Sequence, residues 1–331
     1  MQRRAGESWT VDAAEAGAWL RQQAGQQGLR LEGPIEEVHR RPWSVVLRAG
    51  SEQGGLYLKA VAPALRHEVP VSAALAREAP NALPGLLASD AGRGWMLMRE
   101  GGARLREMLE AEGAPQRWER VLAEYADLQR RAAPRLEGLM ALGLPDRRPC
   151  TLPAQLERLL GDEGALGIGA AHGLTAEEVG RLRALAPLLA QDAEALAAAG
   201  VPDSVHHGDL HDGNIFVEGE RAMFFDWGDA SAAHPFVSLR TTWVSVENTF
   251  GLEPGDAWFG RLRDAYLEAW STHAPTAALR QAFALAEKLA PIVSALAWDH
   301  VVLSLAPEAR VDYAHAVPSL LRETLELAGQ G

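Results

Sequence analysis

The stretch His206-His207-Gly208-Asp209-Leu210-His211-Asp212-Gly213-Asn214 runs directly into Ile215-Phe216-Val217. A second apolar run, Ala222-Met223-Phe224-Phe225, leads into Asp226-Trp227-Gly228. Between the runs stands Glu218-Gly219-Glu220, a turn signal, so the two read as strands of a hairpin. A hairpin returns its ends to one edge, and Asn214 and Asp226 are therefore expected side by side. Asp209 lies across the short loop Leu210 to Gly213 and joins them. A carboxylate, a carboxamide and a second carboxylate are expected to converge on one point.

Such a group suits phosphoryl transfer. Magnesium takes hard oxygen ligands and keeps bridging phosphate oxygens, so one carboxylate and one carboxamide form a suitable partial shell. A further carboxylate, free of metal, can accept the proton of an attacking hydroxyl. The chemistry also needs a cation for the α- and β-phosphates, and Lys59 in Leu56-Tyr57-Leu58-Lys59-Ala60 is the candidate. A lysine among apolar neighbours requires an anion. Glu68 supplies one if a helix begins close to Pro70, since proline is tolerated only in a first turn; Glu78 is the alternative.

Outward from these residues the pattern divides. Residues 10–27 read as a helix capped by Thr10. Trp43 to Leu47, Leu56 to Lys59 and Gly94 to Met98 read as antiparallel strands, with a short helix between Glu68 and Glu78. Arg99-Glu100-Gly101-Gly102 is a joint. Beyond it the spacing of Leu105, Met108 and Leu109, and of Trp118, Leu122 and Tyr125, is helical. Thr175 to Ala199 is a long helix, opened by the capping-box pattern Thr175-Ala176-Glu177-Glu178 and ended by Gly200. Helical pattern resumes from Phe236 to the end. The expected fold class is α+β with two lobes: a sheet-bearing part at 1–98 and a larger, mainly helical part with the hairpin at 99–331. The chemistry would sit between them.

A chain of 331 residues, 47% hydrophobic, has enough apolar surface for a core that begins to divide. A net charge of −12 sets it against nucleic acid and anionic lipid as partners. One cysteine, Cys150, permits no intrachain disulfide and fits a reducing cytoplasm. Met1 to Ser8 lack the apolar core of a signal peptide, and the apolar stretch Pro291 to Ala306 is broken by Asp299 and His300. A cytoplasmic protein without a membrane span is expected.

In His207-Gly208-Asp209 with Asn214, in Asp226-Trp227-Gly228 and in the strand lysine Lys59, the sequence resembles the aminoglycoside phosphotransferase and choline kinase superfamily, relatives of the protein kinases. The likeness runs from about Ile35 to Ser238. It implies a protein-kinase-like fold and transfer of the γ-phosphate of ATP, with magnesium, to a hydroxyl of a small-molecule acceptor: an amino alcohol, an aminoglycoside or a sugar. By this likeness Asp209 is the catalytic base, and Asn214 and Asp226 hold magnesium. Lys59 grips the α- and β-phosphates while Glu68 positions it. Met98 to Gly101, with Met98 and Glu100 as contacts, form the hinge near the adenine. The sequence departs from the family pattern in two places. No Gly-x-Gly-x-x-Gly loop occurs near Val38 to Val46, where His39-Arg40-Arg41-Pro42-Trp43-Ser44 stands. Where many relatives carry an aspartate after the metal motif, this chain reads Phe236-Val237-Ser238-Leu239, so a carboxylate brace on the catalytic loop is not expected.

The same residues admit other readings. His207, Asp209, His211 and Asp212 have the types of a zinc hydrolase site, with His234 and His300 as further ligands, but that leaves Lys59 and the hairpin unexplained. A non-catalytic kinase-like nucleotide-binding module would have no physical need for Lys59, Asp209, Asn214 and Asp226 together. His207 reads as a hydrogen-bonding support, with His211 and Asp212 beside it. Trp243, Trp270 and Trp298 lie where the superfamily builds its acceptor site, and aromatic faces attract organic ammonium. Singly they read as core; Trp298-Asp299-His300 is the cluster nominated for the acceptor, and Glu247 and Glu268 could add charge.

Overall fold

In the computed structural model, which describes residues 9–329, alternate residues Val45, Leu47 and Ala49 turn to one face of a strand. They pack with Leu58, Leu97, Trp19 and Leu20. This period-2 burial builds a five-stranded antiparallel sheet from β1 (Leu31–Arg41), β2 (Ser44–Ser51), β3 (Leu56–Val61), β4 (Leu86–Asp90) and β5 (Trp95–Arg99). The strand order is β1-β2-β3-β5-β4. Helix α1 (Ala13–Gln26) covers that face; Asp12, not Thr10, caps it, its Oδ1 accepting from Ala14 N at 2.8 Å. Val61 and Met96, on the opposite face, pack against Val69 of α2 (Glu68–Glu78). Lys59 pairs with Met96 across the ladder, so its side chain shares the α2 face.

Two strands exceed what the pattern suggested. β1 runs through Pro34, because the pairing slips between Glu32 and Ile35; an edge strand with a bulge needs no amide hydrogen there. β4 is short, also at an edge, and carries no β-branched or aromatic residue to announce it.

After β5 the chain turns through Glu100, Gly101 and Gly102 into β6 (Ala103–Arg104). β6 pairs with β8 (Ile215–Glu218), which pairs with β9 (Arg221–Phe224), so the expected hairpin is present with Ile215 opposite Phe224. β7 (Ser204–His206) pairs with β10 (Ser231–Ala233) on either side of it in sequence. The remainder is helical: α3 (Leu105–Glu112), α4 (Arg117–Ala132), α5 (Leu136–Ala141), α6 (Leu152–Leu160), α7 (Ala176–Ala197), α8 (Arg240–Phe250), α9 (Ala257–Glu268), α10 (Thr276–Ser304), α11 (Pro307–Arg310) and α12 (Ala316–Ala328). The capping box on α7 forms in full, with Thr175 Oγ1 accepting from Glu178 N and Glu178 Oε2 accepting from Thr175 N. Helical structure after Phe236 starts as a 3-10 turn, Pro235–Leu239, before α8. One large core joins α4, the hairpin and α8 to α10 through Tyr125, Phe224, Phe236, Tyr266 and Phe283.

The molecule is thus α+β, with an N-terminal antiparallel sheet and a mainly helical C-terminal lobe. Val301 of α10 joins Val61, Leu65, Val69 and Met96 in a seam between the two. The terminal residues read for a targeting signal lie outside the described range. Among the described residues no helix is long and apolar enough to cross a membrane.

Gly101 marks where the joint meets the hairpin. A methyl there would lie 2.4 Å from the ring of Phe216, which stacks on Phe225 with centroids 4.3 Å apart. Gly101→Ala is expected to cost about 1–3 kcal/mol through overpacking. Urea denaturation of the two proteins side by side checks it.

Candidate active site

Lys59 is almost fully buried, and its Nζ donates to Glu68 Oε1 at 2.6 Å and to Asp226 Oδ1 at 2.5 Å. Glu68 sits in the first turn of α2 with no exposed surface, and Pro70 follows within that turn, where a missing amide hydrogen is harmless. Glu78, the alternative partner, is at the far end of α2 and faces Arg135 at 3.5 Å. Burial works against charge on Lys59, but Asp226 and Glu68 together raise its pKa above the ordinary lysine value. The ammonium is held charged.

Asp226 has φ +69°, the one non-glycine residue with a left-handed backbone among those described. Aspartate tolerates this region better than most residues. The ladder reaches it through Phe225 N donating to Asn214 O at 3.1 Å, which places Asn214 and Asp226 at the same edge as the sequence suggested. Desolvation in the cleft opposes charge on Asp226, and Lys59 overrides it, so its pKa falls below the usual carboxylate value.

Asn214 Nδ2 donates to Asp209 O at 3.0 Å and to Asp209 Oδ2 at 3.1 Å. With both donors directed at Asp209, the carboxamide Oδ1 is left as an acceptor. His211 Nε2 lies 3.4 Å from the same Asp209 Oδ2, while its Nδ1 accepts from Gly213 N at 2.9 Å. His207 ties the two motifs together. Its Nδ1 accepts from Asp209 N at 3.3 Å and its Nε2 donates to Phe225 O at 2.9 Å, with the ring 4.5 Å from that of Trp227. Burial pushes the His207 imidazole down to about 4.

Asp212 is turned away from this group. Its Oδ1 takes two hydrogen bonds from Arg106, at 2.6 and 2.8 Å, and its Oδ2 takes one from Thr249 at 3.1 Å. Burial pushes the carboxyl up, but His211 and Arg106 bring it down to about 2. Asp212 therefore braces the loop between α3 and α8. The zinc arrangement loses its ligands to such bonds: both nitrogens of His207 and both oxygens of Asp212 are engaged. His234 is buried against Phe236, and His300 reaches Ala64 O. Among the described residues no set of three or more His, Cys, Asp or Glu is placed to hold a metal ion.

Ser238 supplies the brace for which no carboxylate was available. Its Oγ lies 3.0 Å from His206 Nδ1 and accepts from Tyr125 Oη and Gln129 Nε2, each at 3.1 Å.

Between the sheet and the hairpin lies a cleft of about 400 Å³, walled by Val38, Val46, Met98, Phe216 and Phe225, with Lys59, Asn214 and Asp226 at its inner end. Met98 lies where the hinge was expected. The side chain of Glu100 does not line the cleft: its Oε1 accepts from Tyr57 Oη at 3.1 Å, beside Gly55. Trp298 also sits elsewhere, stacked on Tyr313 and set edge-on to Trp43 of the β1–β2 turn, and Asp299 lines a separate cavity with Arg147 and Arg158. Their place is against the sheet's turn and in that cavity, not beside Lys59 and Asp226. Three residues went unnamed in the sequence. Arg104 and Arg106 line the cleft immediately after the joint, in an alternating pair that could have been noticed. Asp229, three positions after Asp226, is raised to about 7 by burial and by the carboxylates of Asp209 and Asp226.

Removing Lys59 would leave Glu68 buried beside a second carboxylate. Lys59→Met is expected to destabilise by about 3–5 kcal/mol, and adding Glu68→Leu to recover most of that loss. Denaturant midpoints of the single and double variants check it; an equal loss in both would contradict the pairing.

The comparisons with known proteins agree with this geometry. The family model described as the phosphotransferase enzyme family matches residues 38–279 of the 331. No curated protein matches the chain in sequence. Among solved structures, a choline/ethanolamine kinase family protein from Mesorhizobium loti is similar at 21% identity, over 95% of this chain and 96% of its own, with a TM-score of 0.58. A macrolide 2′-phosphotransferase from Brachybacterium faecium is similar at 20% identity, over 91% and 97%, with a TM-score of 0.57. APH(2″)-IIa, in a ternary complex with streptomycin and ATP, is similar at 14% identity, over 96% and 99%, with a TM-score of 0.57. At such identities the likeness is one of fold. The family match spans well over half of the sequence and contains every residue of the group around Asp209, and the chain belongs to the phosphotransferase enzyme family.

Proposed function

We propose that this protein transfers the γ-phosphate of ATP, with magnesium, to a hydroxyl group of a small molecule, in the cytoplasm. The observation that carries the reading is the meeting of Asp209, Asn214 and Asp226 at one end of a cleft, with Lys59 bonded to Asp226 from the sheet. The division of labour follows the lobes, 1–98 supplying the sheet side of the nucleotide cleft and 99–331 the loop residues and the acceptor site.

Each residue has a definite task. Asp209 keeps one carboxylate oxygen, Oδ2, on Asn214 and turns the other to accept the proton of the attacking hydroxyl. Lys59 is charged and aimed along the cleft, ready to take phosphate oxygens, and Glu68 holds it there. Apolar walls at Val38, Val46 and Met98 suit a flat base. The donor set fits magnesium: Asn214 Oδ1 and the Asp226 carboxylate are hard oxygens, and they would hold the ion. When bound, it neutralises charge on the phosphate oxygens of the nucleotide. A solved relative of the same fold carries ATP, which supports a nucleotide as the donor.

Asp209→Ala is expected to lower turnover by about 10²–10⁴-fold while nucleotide binding persists. ADP release with MgATP and a panel of amino alcohols, aminoglycosides and sugars measures it; near-wild-type turnover in the variant would remove Asp209 from the reaction. Asp226→Ala is expected to abolish the magnesium dependence of ATP affinity, read by calorimetry with and without the ion. Magnesium-dependent binding without turnover on any acceptor would favour a non-catalytic module.

A further inference from the structure

Arg147 is a buried guanidinium with no carboxylate bonded to it. Only 5% of the residue is exposed, and among the described residues its side chain makes one hydrogen bond, a long one, Nη2 to Leu296 O at 3.4 Å. Among the described residues no carboxylate lies within ion-pair distance of it. Its neighbour shows the usual arrangement: Arg148 is bonded to both Asp146 and Glu137. Burying a cation without a partner is costly, and such groups are normally paired or kept for a ligand. Burial pushes Arg147 down to about 10, which leaves it charged at neutral pH.

The guanidinium lines a cavity of about 270 Å³ between α6 and α10, together with Arg158, Asp162, Asp299 and His300. Asp299 is held above the ordinary aspartate value by burial and by the nearby carboxylate of Asp162. Neither acid has an ion-paired cation among the described residues. The cavity thus holds a cation and two carboxylates that form no ion pair among the described residues, although Asp299 and Asp229 lie near enough to Arg147 to favour its charge. It is also joined to the loop that carries Asp209. Arg147 N donates to Ala232 O at 2.8 Å, seating it against β10, and β10 pairs with β7, which ends at His206. Asp229, just before β10, lies close enough to both Arg147 and Asp209 to feel their charges.

We propose that this cavity binds a small zwitterion, its carboxylate on Arg147 and Arg158 and its ammonium on Asp299 and Asp162. The volume falls just below the roughly 300–1,000 Å³ of pockets for drug-sized ligands, so the ligand is compact.

The test is calorimetric titration of the full-length protein, without nucleotide, with L-serine, L-threonine, L-homoserine and hydroxylysine. 4-Hydroxybutyrate, lacking the ammonium, and 3-aminopropanol, lacking the carboxylate, serve as matched controls. At least one zwitterion should bind about tenfold or more tighter than either control. Arg147→Lys, which keeps the charge and loses the planar fork, should weaken it by about tenfold. If circular dichroism shows that variant misfolded, Asp299→Asn carries the test. It should weaken the zwitterion and 3-aminopropanol but not 4-hydroxybutyrate. No binding by any zwitterion, controls binding equally well, or unchanged affinity in a folded variant would overturn the site. Zwitterion binding that persists in Asp209→Ala supports a cavity independent of the transfer chemistry, and loss of binding in that variant would overturn it.

Discussion

A single ammonium, Lys59, ties together three parts of the chain: its own strand β3, helix α2 and the end of the hairpin. It reaches Glu68 on the helix beside the sheet and Asp226, which lies 167 residues further along and in the other lobe. Glu68, fully buried, cannot carry its charge without that cation, and the cation cannot tolerate its own burial without an anion, while the Asp226 carboxylate stays partly open to the cleft. The arrangement works only if β3 turns Lys59 to the α2 face, if α2 begins in time to bring Glu68 inward, and if the hairpin returns Asp226 to the cleft. Register of the sheet, start of a helix and length of a hairpin are thereby constrained together.

The loop from His207 to Asn214 is fixed by a different means. Its side chains are spent on one another and on their neighbours: His207 on Phe225, Asn214 on Asp209, Asp212 on Arg106 and Thr249. Preorganisation of this kind leaves few groups free, and those that remain, one oxygen of Asp209 and Oδ1 of Asn214, with Oδ2 of Asp226 beyond the loop, are the ones that chemistry on a phosphate would use.

Much of this was legible in the sequence because it depends on local signals. The hairpin is written in two apolar runs around Glu218-Gly219-Glu220, and the meeting of Asn214 with Asp226 follows from hairpin geometry alone. The sequence left the choice between Glu68 and Glu78 open, and the start of α2 at Glu68, with Pro70 in its first turn, decides it. Other features have no local signature. β1 passes Pro34 because an edge strand can bulge, and β4 lacks the residue types that mark strands. Trp298 reads as an aromatic face free for a ligand until Tyr313 and Trp43 are seen against it. Glu100 is near the cleft in sequence yet faces Tyr57 on the sheet. The isolation of Arg147 is a property of burial without a partner, and no pattern of neighbours in a sequence reports it.

Ser238 stands in place of a carboxylate, and the difference reaches beyond geometry. The group around it comprises a hydroxyl, the carboxamide of Gln129, the phenol of Tyr125, raised above its ordinary value by burial, and His206, pushed down to about 3. None of these gains or loses a proton between about pH 4 and pH 10. This cluster behind the Asp209 loop is therefore electrically silent, and its shape is indifferent to acidity across the physiological range. Acidity dependence near Asp209 therefore falls to other groups, among them Asp229, raised to about 7 by burial and neighbouring carboxylates.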